Sequence, residues 1–326
     1  MAALALLSWH LFASFLLGAG EPRVDLCHQL LAPFLSRHPN GAITLFFKAR
    51  IAFVEGNFLN AIHYYRKSIA SQTIYRQFHH ASYWELMFCH WCCRRWVHAA
   101  NYAKYLLDES RWSSCVYTYA LAALLHADET VVGFQKQDTV LLLFRQVPNL
   151  RLRIAGKSIP IEKFCEKKAR HHLLQTHIYW PHYEFFYFFN GFALMERVPH
   201  QVLPILNDID TFWKKHPSNN VDDYCLYQFL CGVCLRVLGQ NKTAEECFFN
   251  IVRRDTLLTD FNYLAPNACF ELAVLYSREG STRASSAMLA KAKSYHGYAL
   301  ETKLHFKMHH FQEQLDTRHS PQIHQY

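Results

Sequence analysis

A Gly-Lys-Ser triplet at 156–158 has the residue types for nucleotide chemistry. A phosphate-binding loop places its first Gly five residues before the Gly-Lys pair, so that successive backbone amides wrap around the phosphates. That position is Arg151 here, and Pro160 follows where the loop should open into a helix. The spacing argues against a phosphate-binding loop, and we expect no cofactor.

Two Cys-x-x-Cys pairs, Cys89 with Cys92 and Cys231 with Cys234, have the spacing of zinc half-sites. Both pairs fall in the middle of apolar helical stretches, where thiols pack as small apolar groups. The 11 cysteines also lack the short, loop-rich context of a disulfide framework. We therefore predict reduced, buried thiols, no metal site at these pairs and a cytoplasmic protein.

His305 and His309 stand at i and i+4, so that one helix face would present both to a metal. The sequence offers no evident carboxylate or cysteine nearby to complete a ligand set, and structural or surface histidines are expected. The familiar hydrolase, metalloprotease and dinucleotide-binding motifs are absent from the sequence. We predict no catalytic residues, no metal and no enzymatic activity.

The composition indicates that the functional residues of this chain are positioned by helices. Hydrophobic residues make up 51% of the chain, while charged residues make up 18%. Aromatic residues reach 15%, which excludes a disordered chain. With 11 Gly and 11 Pro, the sequence favours long helices joined by short turns over many short strands.

Pairs of helical segments recur along the chain, with small residues where two helices would cross and a turn residue between them. The tetratricopeptide repeat has this pattern in about 34 residues, because small residues let the two backbones approach. Stretches 41–70, 221–253 and 261–295 follow it closely, while 79–108 and 183–213 carry replacements. We predict an all-α, tetratricopeptide-like helical-repeat solenoid of antiparallel helix pairs. The repeat-defining residues are Ala49, Gly56, Ala61, Tyr65, Leu86, Trp96, Ala99, Gly191, Gly232, Gly239, Ala244, Phe248, Ala273, Tyr276, Gly280 and Ala292.

The repeat rhythm is interrupted in the middle of the chain, where Gly133, Pro148, Gly156 and Pro160 occur. We predict that this interruption is an insertion that separates two repeat lobes. The predicted organisation is an apolar N-terminal helix at 1–20, N-terminal helical repeats at 21–127, an irregular basic insertion at 128–165, C-terminal helical repeats at 166–315 and a disordered tail at 316–326.

The formal net charge is +8, and most of the excess lies in stretch 145–170, where eight Lys and Arg residues face two Glu. Such a stretch can contact an acidic protein surface, an anionic lipid or RNA, although a solvated helix face has the same pattern. We expect no nucleic-acid partner. The candidate residues for an anionic partner are Arg151, Arg153, Lys157, Lys163, Lys167, Lys168 and Arg170.

An apolar run from Ala2 to Gly20 resembles a signal peptide. However, no Lys or Arg precedes the run, and its length together with His10 disfavours a membrane span. We predict a buried helix over Leu4–Leu17 and do not expect secretion. A membrane contact and a signal sequence remain as alternatives.

Several segments resemble the tetratricopeptide repeat protein 39 family: "FHHASYWELMFCHW", "ESRWSSCVYTYALAA", "LFRQVPNLRLRIAGKSIPIEKFCEKKAR", "DDYCLYQFLCGVCLRVLGQNKTAEE" and "YLAPNACFELAVLY". The stretch Arg151–Phe164 is the most specific, because it belongs to no general repeat consensus. The resemblance extends from about Leu4 to Phe311. It implies a helical-repeat fold, no known catalytic site, and adaptor roles linked to lipid homeostasis and cilium assembly. Since family members are longer at the N-terminus, it also implies an N-terminally shortened form.

These features together predict a non-enzymatic adaptor or scaffold in the cytoplasm. Its partner would be a peptide or helix of another protein, bound in the groove that first helices line. The alternative is a membrane-surface or lipid-associated protein that uses stretch 145–170 and the apolar N-terminus. The candidate groove residues, expected to be exposed on first helices, are Phe47, Arg50, Tyr83, Tyr227 and Arg236.

Overall fold

The computed structural model describes residues 2–13, 22–128, 134–153 and 155–319. Within these ranges the chain forms 17 α-helices and no strands, with 77% of it helical, which confirms the predicted all-α class. None of the described helices combines the length and the apolar character needed to cross a membrane. The chain folds as two compact units, which we call unit 1 (described residues up to Phe12, and Pro22–Val198) and unit 2 (Ala13 and the described residues from Pro199 onward).

Unit 1 contains eleven of the described helices. A π-helical stretch, Trp9–Ala13, follows the first of them, and a 3₁₀ turn, Val147–Leu150, follows the eighth. The helices are α1 (Ala2–Ser8), α2 (Val24–Arg37), α3 (Ala42–Val54), α4 (Phe58–Ala70), α5 (Arg76–Cys92), α6 (Trp96–Glu109), α7 (Ser114–Ala127), α8 (Phe134–Gln146), α9 (Pro160–His172), α10 (Pro181–Phe188) and α11 (Gly191–Met195).

The pair α3–α4 shows how the sequence makes one repeat. Ala49 on α3 and Ala61 on α4 are both fully buried, as small residues at a helix crossing must be. Gly56 has a φ of +81°, a left-handed turn conformation that glycine adopts without a Cβ clash. The Asn57 side chain then accepts a hydrogen bond from the backbone N–H of Asn60 at 3.3 Å, which caps α4.

The N-terminal segment packs as a further helix pair with α2. Leu7 and Leu11 are completely buried in a core that also contains residues of α2 and α3, namely Cys27, Leu31, Phe47, Ile51 and Val54. The part of the predicted 1–20 helix that is described, Ala2–Ala13, is therefore helical, and its residues Leu7 and Leu11 contribute to the core of unit 1. Residues 14–20 of that prediction lie outside the described residues.

The middle of the chain belongs largely to unit 1. Helix α8 and the turn that follows it pack against α7, and α9 begins with Pro160 at its first position. The sequence predicted that an insertion at 128–165 separates two lobes, whereas the boundary between the units follows Val198. Residues 129–133 and 154 of the predicted insertion lie outside the described residues.

The third predicted repeat, 183–213, extends across that boundary. Its first part consists of two short helices, α10 and α11, which are interrupted at Asn190 with a φ of +58°. Asn tolerates the left-handed region better than most residues do, so a break at this position is consistent with its type. The stretch is therefore not one helix pair within one unit.

Unit 2 contains two repeat-like pairs, α13–α14 and α15–α16, with close packing at the predicted small residues. A Cβ on Gly232 of α13 would lie 2.7 Å from the buried Phe248 ring of α14, which explains why glycine occupies this position. The last helix ends at His319, beyond residue 316 where a disordered tail was predicted, and residues 320–326 lie outside the described residues. The helices are α12 (Leu203–Lys215), α13 (Val221–Val237), α14 (Asn241–Val252), α15 (Leu264–Arg278), α16 (Thr282–Lys293) and α17 (Glu301–His319).

Candidate protein-binding surface

A buried ion pair joins the first helices of the two N-terminal repeats. Arg50 on α3 donates from Nη1 to Oε2 of Glu85 on α5 at 2.5 Å. Its Nε also donates to the Leu11 carbonyl at 2.9 Å, and its guanidinium lies 4.5 Å from the centre of the Phe12 ring. Burial raises the pKa of the Glu85 carboxyl, and the neighbouring Arg50 opposes that rise. The pair therefore connects neighbouring first helices inside the core of unit 1.

Unit 2 contains a similar buried pair, in which the glutamate occupies the corresponding position. Arg236 on α13 lies 2.7 Å (Nε to Oε2) from Glu271 on α15, and both side chains are 7% exposed. Glu85 precedes Arg94 by nine residues, and Glu271 precedes Gly280 by nine. Arg94 and Gly280 are the turn residues with positive φ, so the two glutamates occupy the same place in their repeats.

The expectation of an exposed groove is wrong for three of its predicted residues. Phe47, Arg50 and Arg236 are 7%, 2% and 8% exposed, respectively. Phe47 packs in the core with the N-terminal segment, and each arginine is neutralised by a glutamate of the next first helix. A buried charge needs such a partner, and here the partner lies about one repeat further along the chain.

Aromatic side chains of α10 and the residues after it cover the predicted groove at α5. The Trp91 and Phe185 rings stack with centroids 5.7 Å apart and planes 7° apart. Phe189 lies 5.2 Å from Trp84 and 5.5 Å from Phe88. In unit 1 the chain itself therefore fills the surface at α5 on which a partner peptide was expected.

An exposed cleft lies instead along the second helix α4, beside Arg95, which directly precedes the second helix α6 of the following repeat. It has a volume of about 430 Å³ and is open to solvent. Three of the described residues that line it are Arg or Lys, and none is acidic. Leu59 is 59% exposed and supplies apolar surface within it. The lining residues are Leu59, Ile62, His63, Arg66, Lys67, Ala70 and Arg95.

A tyrosine cluster adjoins this cleft through Arg66, whose Nε donates to the Tyr102 hydroxyl at 3.4 Å. The Tyr102 ring lies 5.9 Å from the Tyr83 ring, which lies 5.5 Å from the Tyr105 ring. Tyr105 is 48% exposed. Tyr83, predicted to line a groove on first helices, thus belongs to a cluster with residues of a second helix. We call the cleft and this cluster together the α4–α6 surface.

The positive charge of the α4–α6 surface affects a buried neighbour. The pKa of His90 is lowered to about 4 by burial, by His98 and by the two cleft arginines, Arg66 and Arg95. His90 is 1% exposed and lies in the core on α5.

The family model described as Iml2/Tetratricopeptide repeat protein 39 matches residues 1–238 of this chain. The chain belongs to the Iml2/tetratricopeptide repeat protein 39 family. The Caenorhabditis elegans protein named "Tetratricopeptide repeat protein ttc-39B" is 46% identical over 310 residues, which cover 95% of this chain and 54% of that protein. The chain thus spans about half the length of this relative.

A solved structure of a tetratricopeptide repeat protein from Parabacteroides merdae ATCC 43184 aligns with 94% of this chain and 100% of that chain. Its sequence identity is 11% and its TM-score 0.36, a similarity that supports no inference by itself. Membership of the Iml2/tetratricopeptide repeat protein 39 family indicates a protein-interaction scaffold, and repeat families of this type are generally non-catalytic.

In this family member the predicted basic stretch is partly neutralised within unit 1. Arg151 and Arg170 both contact Glu166, and Lys168 is 1% exposed and lies 2.9 Å from the buried Glu184. Lys168 therefore belongs to the core, and the expectation that it faces a partner is wrong. The exposed cations of the stretch are Arg145, Arg153, Lys157, Lys163, Lys167 and Arg170.

The remaining predicted residues pack against, or form hydrogen bonds with, neighbouring parts of their own unit. Tyr227 is partly exposed, donates to Asp210 at 2.8 Å and stacks on Trp213 with centroids 4.8 Å apart, so it is held against α12. Trp96, at the start of α6, contacts the ring of His182 at 5.3 Å, and the partly exposed Tyr276 hydroxyl donates to Glu245. The fully buried members of the repeat-defining set are Ala49, Ala61, Tyr65, Leu86, Ala99, Ala244, Phe248, Ala273 and Ala292.

The paired cysteines lie in the core. Burial raises the pKa of Cys89 and of Cys92 well above the usual value for a thiol, and it raises the pKa of Cys231 and Cys234 in the same direction. These thiols are therefore protonated at neutral pH and pack as apolar groups.

Proposed function

We propose that this chain is a non-enzymatic adaptor that binds an acidic segment of a partner protein on the α4–α6 surface. The observation that carries the proposal is the exposed cleft with Arg66, Lys67 and Arg95 and no acidic residue among its described lining. Complementary charge steers such a partner to the surface and selects against basic segments.

The tyrosines beside the cleft supply apolar contact area and hydrogen-bonding groups, which charge alone does not. Tyr and Arg are the residue types that most often carry binding energy at protein interfaces, because they bury apolar area and also make hydrogen bonds. Tyr83, Tyr102 and Tyr105 offer three rings at the edge of the cleft, and Leu59 offers an exposed apolar side chain inside it. The preferred ligand is therefore an acidic segment that also carries an apolar or aromatic side chain.

A phage-displayed library of random peptides, panned on the intact chain, tests this ligand class directly. We expect the enriched peptides to be acidic and their affinity to fall as salt is added, since exposed charges are screened. The double variant Arg66→Glu/Arg95→Glu should bind them on the order of tenfold or more weakly. A matched control, Arg153→Glu/Lys157→Glu, reverses two exposed cations elsewhere in unit 1 and should bind like the wild type.

Neutral or basic sequences among the enriched peptides would refute the proposal, as would equal binding by both double variants. Charge reversal at Arg50 or Arg236, by contrast, would disrupt a buried ion pair and so would report on folding.

A second candidate function is contact with an anionic membrane surface. Arg153, Lys157 and Lys163 are exposed, and the neighbouring Leu152 is 41% exposed, so cations and apolar surface occur together there. Flotation with phosphatidylserine-containing vesicles at low salt tests it. Arg153→Glu/Lys157→Glu should abolish flotation, and a wild-type chain that stays with the soluble fraction would eliminate this candidate.

The cellular process is proposed on the family resemblance, which implies lipid homeostasis or cilium assembly, and the buried thiols agree with a cytoplasmic location. Proximity labelling in cells, with the wild type compared with Arg66→Glu/Arg95→Glu, would test the process. We expect proteins of one of these two processes to be labelled by the wild type and lost with the variant. A partner list without such proteins would refute the assignment.

A further inference from the structure

Three side chains with metal-ligand chemistry converge where α17 begins in unit 2. His296 Nδ1 lies 3.3 Å from Glu301 Oε1, and His305 Nε2 lies 3.7 Å from the same oxygen. The ligand atoms of His296, Glu301 and His305 all lie within 4.8 Å of one another.

The backbone places these side chains together. Gly297 and Leu300 have φ values of +74° and +61°, and these two left-handed residues turn the chain back after α16. Glu301 is the first residue of α17, and His305 follows one helical turn later on the same face. The loop thereby holds His296 beside that face.

The carboxylate is oriented for ligation. The backbone N–H of Gly297 donates to Glu301 Oε2 at 2.8 Å, which leaves Oε1 directed at the two imidazoles. Such an outer hydrogen bond fixes a metal-binding carboxylate in the way that second-shell partners do. His305 Nε2 is shielded from solvent, and within the described part of the chain it has no hydrogen-bond partner. Its polar contact is the 3.7 Å ion pair with Glu301, a separation that leaves the nitrogen able to accept a ligand.

We propose that His296, Glu301 and His305 form a binding site for a divalent transition metal ion of the Zn²⁺ type. Two imidazoles and one carboxylate are a ligand set that Zn²⁺ takes up in a tetrahedral site whose fourth position holds water. Borderline-soft imidazole nitrogens favour Zn²⁺ over Mg²⁺ or Ca²⁺, which prefer oxygen ligands throughout. A bound ion would fix the loop after α16 to the start of α17.

The site differs from the one that the histidine spacing suggested. His309, which stands four residues after His305, lies 3.6 Å from Glu313 and does not belong to the group that converges at Glu301. The expectation that no nearby carboxylate completes a set with His305 is wrong, because Glu301 lies one turn before it. His309 therefore serves as the matched control for His305 on the same helix.

Zinc binding to the full chain, freed of metal with a chelator and dialysed, tests the site. Isothermal titration with Zn²⁺ should show one tight site per chain, and Co²⁺ in its place should give the intense visible absorption of a tetrahedral complex. His296→Ala, His305→Ala and Glu301→Gln should each weaken this binding on the order of tenfold or more, whereas His309→Ala should not.

Thermal unfolding separates loss of the site from loss of the fold. Zn²⁺ should raise the Tm of the wild type and of His309→Ala, because it binds the folded state, and it should leave the Tm of the other three variants unchanged. Metal-free variants with the same Tm as the metal-free wild type would show that the fold is intact. Wild-type affinity in His296→Ala and His305→Ala, or an equal loss in His309→Ala, would overturn the proposal.

Discussion

Removing one partner of the buried pair between Arg50 and Glu85 should destabilise unit 1 strongly. In Arg50→Met the apolar stem is kept and the charge is lost. Glu85, 6% exposed, then has the Tyr65 hydroxyl at 3.5 Å as its remaining hydrogen bond in the described structure. A buried charge without its partner costs about 3–5 kcal/mol in unfolding free energy, and we expect a loss of that size.

The double variant Arg50→Met/Glu85→Met removes both charges and should lose far less than the sum of the single losses. The coupling free energy between the two positions should be about 2 kcal/mol or more. The Arg50→Met loss should also depend on pH. Without Arg50, the folded-state pKa of Glu85 rises further above its unfolded value. The penalty is therefore full at high pH and shrinks as the pH falls through the folded-state pKa.

Urea unfolding followed by tryptophan fluorescence measures these losses, because six of the seven Trp residues lie in unit 1. The control is Lys104→Met, which breaks the exposed pair of Lys104 and Asp108, separated by 2.6 Å. That exposed pair should contribute about 0.5 kcal/mol or less. A loss below about 1 kcal/mol for Arg50→Met, or losses that simply add in the double variant, would refute the reasoning.

Three further predictions concern three glycines and the partly buried His126. Gly191→Ala should destabilise unit 1 by about 1–3 kcal/mol in urea unfolding, since its Cβ would lie 2.3 Å from the Phe186 ring. Gly239→Ala, with open space around a φ of +75°, should lower the free energy of unfolding by about 1–2 kcal/mol. Gly56→Ala should lower it by more, because its Cβ would lie 3.1 Å from a neighbouring side chain. Burial lowers the pKa of His126 from 6.5 to about 4, so its contribution to stability is full above 6.5 and falls with pH. At about pH 5 the free energy of unfolding should be about 2 kcal/mol lower than above pH 6.5. The Tm should therefore fall with pH, and His126→Gln should reduce that fall.

The helix pairs could be predicted from sequence because their signals are local. Gly232 and Phe248 are sixteen residues apart on adjoining helices, and the need for a small residue beside a large one is visible in that spacing. Gly239 and Gly280 mark turns because glycine readily takes positive φ. Arg94 takes the same conformation without being glycine, so the second repeat has a weaker signal.

The candidate binding surface could not be predicted in the same way, because the exposure of its residues depends on contacts far along the chain. Arg50 and Arg236 have the residue type and the helix position of groove residues. Their glutamates, 35 residues later in each case, remove them from the surface. The packing of α10 on α5 brings together segments about a hundred residues apart. The spacing of apolar residues within one helix cannot predict such a long-range contact. The charge of Lys168 likewise suggested a surface position, and its partner Glu184 shows otherwise.

The two first-helix ion pairs bear on where an adaptor of this kind binds its partner. A buried charged pair adds little net stability compared with apolar packing, yet breaking it is costly, so it favours one register of the first helices. A partner that inserted between those helices would have to separate Arg50 from Glu85 and displace the aromatic side chains beside α5. Binding on the outward side of α4 and α6 requires neither change, since Leu59, Arg66 and Arg95 are already exposed. If Arg66→Glu/Arg95→Glu abolishes peptide binding while unfolding in urea like the wild type, recognition and first-helix packing lie on opposite sides of the same repeats.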